Sequence, residues 1–145
     1  MLNNSALYQK EHIMLHRNII AAVLLTISLG ACTSTYLQQS YTDPIAYNLT
    51  QPQLQQAIME AGISRGWIMT PVNPGEINAE LNIRAHKVIT LVKYDATSFS
   101  INYVDSVNMN AKNGKIHRQY ANWINNLRQD IKVKMNLVSY QNATK

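Results

Sequence analysis

The sequence predicts an α+β fold: a two-layer sandwich in which two helices cover one face of an antiparallel sheet of about four strands, in the order α-β-β-β-β-α. Three observations carry this reading. From Glu76 to His86 apolar and polar residues alternate almost without a break, around Thr50 the chain spells out a helix start, and from Ile116 to Met135 apolar residues recur at helical spacing. Consecutive strands joined by short turns pair antiparallel, and the flanking helices must bury their stripes against one face.

The first helix is predicted from about Gln51 to Ser64. Thr50 and Gln53 stand in the T-x-x-Q relation of a capping box, and Pro52 falls in the first turn, where a missing N–H costs nothing. Leu49 and Leu54 are spaced for a hydrophobic staple, Leu54, Ala57, Ile58 and Ala61 form a modest apolar face, and Arg65-Gly66 closes the helix. Trp67 to Val72 reads as a strand that ends at a turn containing Pro71, Asn73, Pro74 and Gly75. The strand from Glu76 to His86 puts Ile77, Ala79, Leu81, Ile83 and Ala85 on one side and Glu76, Asn78, Glu80, Asn82, Arg84 and His86 on the other. That pattern describes a sheet covered on one face and wet on the other. Val88 to Tyr94 carries apolar residues on both parities, so its inner face is left open. After a turn at Asp95 to Thr97, Ser98 to Val104 alternates again through Phe99, Ile101 and Tyr103. Asp105 to Lys115 is polar and contains Asn113-Gly114, a loop or short hairpin. The second helix starts at Ile116 and gathers Tyr120, Trp123, Ile124, Leu127, Ile131 and Met135 into one core-facing stripe, with a polar, frayed tail from Val138.

Upstream of the domain lies Arg17 to Cys32, RNIIAAVLLTISLGAC: a positive residue, an apolar run from Ile19 to Leu29, and then small residues. This is the three-part plan of a secretory signal, and the run is shorter than the roughly 20 residues a transmembrane helix needs. Met14 gives a compact leader with Arg17 as its charge, so translation is expected to start there, within a signal segment covering residues 1–31. Leu29, Gly30, Ala31 and Cys32 resemble the lipobox of bacterial lipoproteins, in which cleavage precedes the cysteine and its sulfur takes a diacylglycerol. The resemblance implies lipidation at Cys32 and, with Thr33 rather than Asp next in the chain, export to the outer membrane of a Gram-negative envelope with the domain in the periplasm. Two or three acyl chains on one residue, at about 0.8 kcal/mol per buried methylene, make a stable anchor.

The chain has 145 residues, one cysteine and a net charge of +5. Beyond the signal segment it amounts to one domain's worth, able to bury roughly 60 to 70% of its unfolded surface. With Cys32 alone, no intramolecular disulfide can form, so stability rests on packing. Residues 32–44 read as the lipidated cysteine and a polar tether reaching up to about 40 Å from the bilayer, 45–137 as the domain, and 138–145 as the tail. Ile45 to Asn48 reads as a short extended piece. The mild basic excess suits solubility or attraction to anionic headgroups and cell-wall polymers, and nucleic acid is not an expected partner in this compartment.

A wider resemblance runs from about Leu49 to Ile131. Arg65-Gly66-Trp67, Arg84-x-His86, Ser100-Ile101-x-Tyr103 with Asp105-Ser106, and Ile116-His117-x-x-Tyr120-x-x-Trp123-Ile124-x-x-Leu127 look like a family of small, uncharacterised proteobacterial lipoproteins. It implies a lipoprotein with a single domain and brings no activity with it.

Chemistry-bearing residues are few. His86 and His117 are the histidines downstream of Cys32, and neither stands in H-E-x-x-H or a comparable ligand spacing. Ser98, Ser100 and Ser106 lie outside any nucleophile-elbow or S-x-x-K context, and no glycine-rich phosphate loop is present. No catalytic residue, metal site or cofactor is therefore expected. The feature that invites a function is the wet strand face, Asn78, Glu80, Asn82, Arg84 and His86, which suits docking of an envelope protein or a glycan. Trp67 and Trp123 are expected in the core. The reading is a non-enzymatic, membrane-anchored interaction or assembly accessory. The alternative is a small ligand-binding or hydrolytic lipoprotein with a site near His86, His117 and Asp105.

Overall fold

The computed structural model describes residues 34–144; Cys32, the signal segment and its expected start at Met14 lie outside the described residues. In chain order the elements are β1 (Ser34–Tyr36), β2 (Ser40–Pro44), α1 (Gln51–Ser64), β3 (Trp67–Asn73), β4 (Glu76–Ile83), β5 (His86–Tyr94), β6 (Ser98–Val107), β7 (Lys115–His117) and α2 (Gln119–Ala143). Strands β2-β6-β5-β4-β3 form one antiparallel sheet, and β1 pairs with β7 in a separate two-stranded ribbon. The α+β class and the pair of helices agree with the sequence reading, while the sheet has five strands rather than about four.

The start of α1 obeys its sequence chemistry. Gln53 Oε1 accepts hydrogen bonds from the Thr50 N–H at 2.9 Å and the Thr50 hydroxyl at 3.1 Å, and Leu49 and Leu54 are both buried. Leu54, Ala57, Ile58 and Ala61 then face the core. Gly62 extends that face where α1 crosses β3, and a Cβ there would run into the Met69 thioether.

The core lies between the helices and one face of the sheet. Cross-strand rows on that face are Trp67–Leu81–Val88, Met69–Ala79–Thr90–Tyr103 and Ile77–Val92–Ile101–Tyr41. The open question of β5 is thereby settled: Val88, Thr90, Val92 and Tyr94 point inward. Thr90 is buried and its hydroxyl donates to the Ala79 carbonyl at 3.3 Å. From α2, Tyr120, Ile124, Leu127, Ile131 and Met135 seal this layer. The two helices run antiparallel, cross-linked by Gln53–Asn142, Glu60–Lys134 and Arg65–Asp130.

Several expectations need correction. The stretch read as a tether is built into the fold from Ser34 onward, because β2 alternates with Tyr41 and Asp43 inward. Its periodicity is masked in the sequence, since one of the two buried positions is a carboxylate neutralised by Arg128 and Lys132. Ile45 to Asn48 belongs to no strand, although the Ile45 N–H is bonded to the Thr97 carbonyl. The strand expected to reach His86 stops at Ile83, where Arg84-Ala85 makes a two-residue hairpin with Arg84 at φ 56°. Ile116 belongs to β7, so α2 starts at Gln119. The polar tail from Val138 is helical through Ala143, held in part by the Gln53 amide on Asn142 at 3.1 Å. Trp123 is half-buried at the edge of the core rather than within it. No helix among the described residues is long and apolar enough to cross a membrane.

Candidate functional site

Both helices cover the same side of the sheet, which leaves the opposite side open among the described residues. Two cross-strand rows dominate the open face: Ile68–Glu80–Ile89–Asp105 and Thr70–Asn78–Leu91–Asn102–Ser40. Asn78, Glu80 and Asn82 lie on this face as their parity requires. Glu80 is tied down by Lys87 Nζ at 2.9 Å and by the Asn82 amide at 2.8 Å, and these two donors, the Asn82 amide foremost, hold its carboxyl below the usual range. Asn102 donates to the Leu91 carbonyl at 3.1 Å and to the Ser100 hydroxyl at 3.0 Å. Ile68 is 58% exposed, and Ile89 and Leu91 are half-buried between the polar side chains. Parity arguments on β4 alone miss this aliphatic centre, because β5 is apolar on both sides and gives no sign of which side is wet.

Arg84 and His86 do not join that face. The hairpin at Arg84-Ala85 reverses the chain, so His86 opens β5 on the parity of Val88, the helix side. Its ring stacks on His117 with centroids 5.6 Å apart and planes 27° apart, and Trp123 lies tilted against it at 6.5 Å. His86 Nδ1 is 2.8 Å from the Asn108 carbonyl oxygen, and the Asn108 amide in turn donates to the Ala85 carbonyl at 2.7 Å. His117 Nδ1 accepts from the Gln119 N–H at 3.3 Å, which leaves any proton of a neutral ring on Nε2. Asp105 belongs to the open face, opposite Ile89, and its carboxylate accepts from the Ser106 N–H at 2.7 Å. The structure thus brings His86 and His117 together and places Asp105 on the other side of the sheet. Among the described residues, no group of three or more His, Cys, Asp or Glu is arranged to hold a metal ion.

The same end of the domain gathers positive charge. Glu80, Glu76, Asp43, Glu60 and Asp130 are each paired with a Lys or Arg. Among the described residues, the basic side chains without an acidic partner are Arg84, Lys112, Lys115 and Arg118. Arg84 sits in the turn beside His86, and Lys112 and Lys115 flank the Asn113-Gly114 turn that leads into β7. Arg118 is the neighbour of His117 in the chain. Trp67 is buried and takes no part in either surface. A separate shallow groove of about 490 Å³ lies near the far end of α2, lined by Tyr47, Lys132, Val133, Asn136, Leu137 and Tyr140.

No family model, curated protein or solved structure matches the chain.

Proposed function

We propose that the chain is a lipid-anchored protein of the bacterial envelope, attached through Cys32 to the outer membrane, that acts without catalysis as an interaction or assembly accessory. The observation that carries the reading is the uncovered sheet face. Ile68, Ile89 and Leu91 form an aliphatic centre within a rim of Asn78, Glu80, Asn82 and Asn102, the layout of a small protein-binding patch. Aliphatic side chains at the centre, rather than aromatic ones, favour a protein partner over a glycan. The lipobox-like Leu29-Gly30-Ala31-Cys32 supplies the anchor. Crosslinking in the native envelope, read by mass spectrometry, should capture a discrete protein that is lost with Ile68→Glu. A capture pattern unchanged by Ile68→Glu would sink the docking face, and capture of glycan alone would replace the partner class.

A second reading, a small ligand-binding or hydrolytic site near His86, His117 and Asp105, draws support from the stacked imidazoles. It needs a third group, and Asp105 lies on the opposite side of the sheet. Imidazole NMR resonances that fail to move on addition of zinc would remove the metal-dependent form of this reading.

A further inference from the structure

We propose that the basic end of the domain lies directly on the phosphate headgroups of an anionic glycerophospholipid bilayer, with Arg84, Lys112, Lys115 and Arg118 as the contacting cations. The placement rests on the lipid-anchor reading of Cys32; the clustering of the four cations does not. Cys32 is two residues before Ser34, and Ser34 is already paired with His117 at the head of the β1–β7 ribbon. Two residues span no more than about 8 Å. A domain attached so closely cannot stand off the surface on a long tether, and the end that carries Ser34 must approach the headgroups.

Among the described residues, that end holds the cations that have no acidic partner. Lys115 is paired in register with Tyr36, and its ammonium lies 6.0 Å from the centroid of the Tyr36 ring. Tyr36 is 80% exposed, and an exposed Tyr beside a Lys is suited to a membrane–water interface. Arg84 stands at φ 56°, a left-handed position where Gly or Asn would cost less, so a charged side chain occupies a place that the backbone disfavours. The one carboxylate on the adjoining part of β6 is Asp105, which points to the open face of the sheet. A cation near an anionic surface raises binding roughly fivefold, within a screening length of about 10 Å at 0.1 M salt.

The test is sedimentation of the chain from residue 32 onward, carrying Cys32→Ser so that no lipid is attached. The vesicles are phosphatidylglycerol mixed with phosphatidylethanolamine, with pure phosphatidylcholine as the neutral control. The unlipidated chain is expected to bind the anionic vesicles and not the neutral ones. Lys115→Glu should weaken binding at least about tenfold. Arg84→Gly should weaken it about fivefold without lowering the melting temperature. Lys93→Glu makes the same change in net charge at the opposite end of β5 and should alter binding less than about twofold. Equal losses for Lys93→Glu and Lys115→Glu, or equal binding to both vesicle types, would overturn the proposal. The intact mass of the full chain recovered from a Gram-negative membrane separates the two readings. An unmodified Cys32 with end-specific vesicle binding removes the anchor and keeps the basic surface, whereas a diacylated Cys32 with no such binding does the reverse.

Discussion

Asp43 on the edge strand β2 and Arg128 on α2 form a two-pronged ion pair, with Arg128 Nε 2.6 Å and a terminal nitrogen 3.0 Å from the two carboxylate oxygens. Lys132 Nζ adds a third donor at 2.5 Å. Asp43 is only 5% exposed, so the pair fastens the first strand of the sheet to the last helix through the edge of the core. The Arg128 guanidinium also lies 5.1 Å from the Tyr41 ring centroid. Asp43→Ala removes one member of a largely buried pair and leaves the cations without their acceptor. It should cost about 2 to 3 kcal/mol in denaturant unfolding, below the full value for a deeply buried pair because Arg128 and Lys132 remain partly solvated. A loss under about 0.5 kcal/mol would mean that β2 is not held by this contact.

The same pair should appear in the acid limb of stability. Burial works against ionisation of Asp43, but the hydrogen bonds and charges of Arg128 and Lys132 outweigh it, so the carboxyl sits below its ordinary value. A group whose pKa is depressed on folding stabilises the protein above its unfolded pKa, near 3.9, and the contribution disappears as pH falls through the folded value. The gap in melting temperature between wild type and Asp43→Asn should therefore be widest above about pH 5 and shrink below about pH 4. A gap that stays constant down to about pH 2 would contradict the assignment.

Gly75, in the turn between β3 and β4, offers a backbone test. Its φ is 78°, and a Cβ there would lie 2.8 Å from the Tyr94 carbonyl oxygen, which is backbone and cannot swing aside. The Tyr94 N–H is bonded to the Gly75 carbonyl at 2.8 Å, so a shift at the turn also strains the start of the β4–β5 ladder. Gly75→Ala combines left-handed strain with this clash and should lose about 2 kcal/mol. Unchanged unfolding would show that the turn can relax.

Legibility in the sequence depends on how much of each element's logic is local. α1 is readable because Thr50, Gln53 and Leu54 act within one turn of each other. Ile77, Ala79 and Leu81 of β4 are readable because strict alternation holds that far, whereas Ile83 and Ala85, also expected inward, are exposed at the hairpin. Asp43 defeats the same reasoning: its burial depends on Arg128, 85 residues away, and no hydropathy pattern registers that. The hairpin at Arg84-Ala85 escapes a sequence reading because it contains neither the Gly nor the Asn that two-residue turns favour, and the miss carries His86 to the wrong side of the sheet. As a result the face formed by Asn78, Glu80 and Asn82 is legible, while its aliphatic centre and the His86–His117 stack are not.

Trp123 and Leu127 separate an edge residue from a core residue on one helix. The apolar stripe of α2 gives them equal standing, yet Leu127 is fully buried and Trp123 is half-buried against His86. Leu127→Ala should cost about 3 to 4 kcal/mol, and Trp123→Ala only about 2 despite the larger deletion, because part of the indole is already in water. The reverse order in urea unfolding would place Trp123 in the interior.

Tyr120 carries the most counterintuitive expectation. Its ring is fully buried, edge-on to Tyr103 at 5.6 Å and tilted to Tyr41 at 6.3 Å, and its hydroxyl has no hydrogen-bond partner among the described residues. Burial, with the neighbouring Tyr41 and Tyr103 hydroxyls, pushes its pKa far above the ordinary tyrosine value, so the group stays neutral throughout the stable range. A buried hydroxyl without a partner carries a desolvation penalty that a phenyl ring does not. Tyr120→Phe keeps the aromatic contacts and removes that penalty, so it should raise stability by about 1 kcal/mol, measured by thermal and urea unfolding. A loss of stability instead would reveal an ordered water bonded to the hydroxyl, which a high-resolution crystal structure would locate.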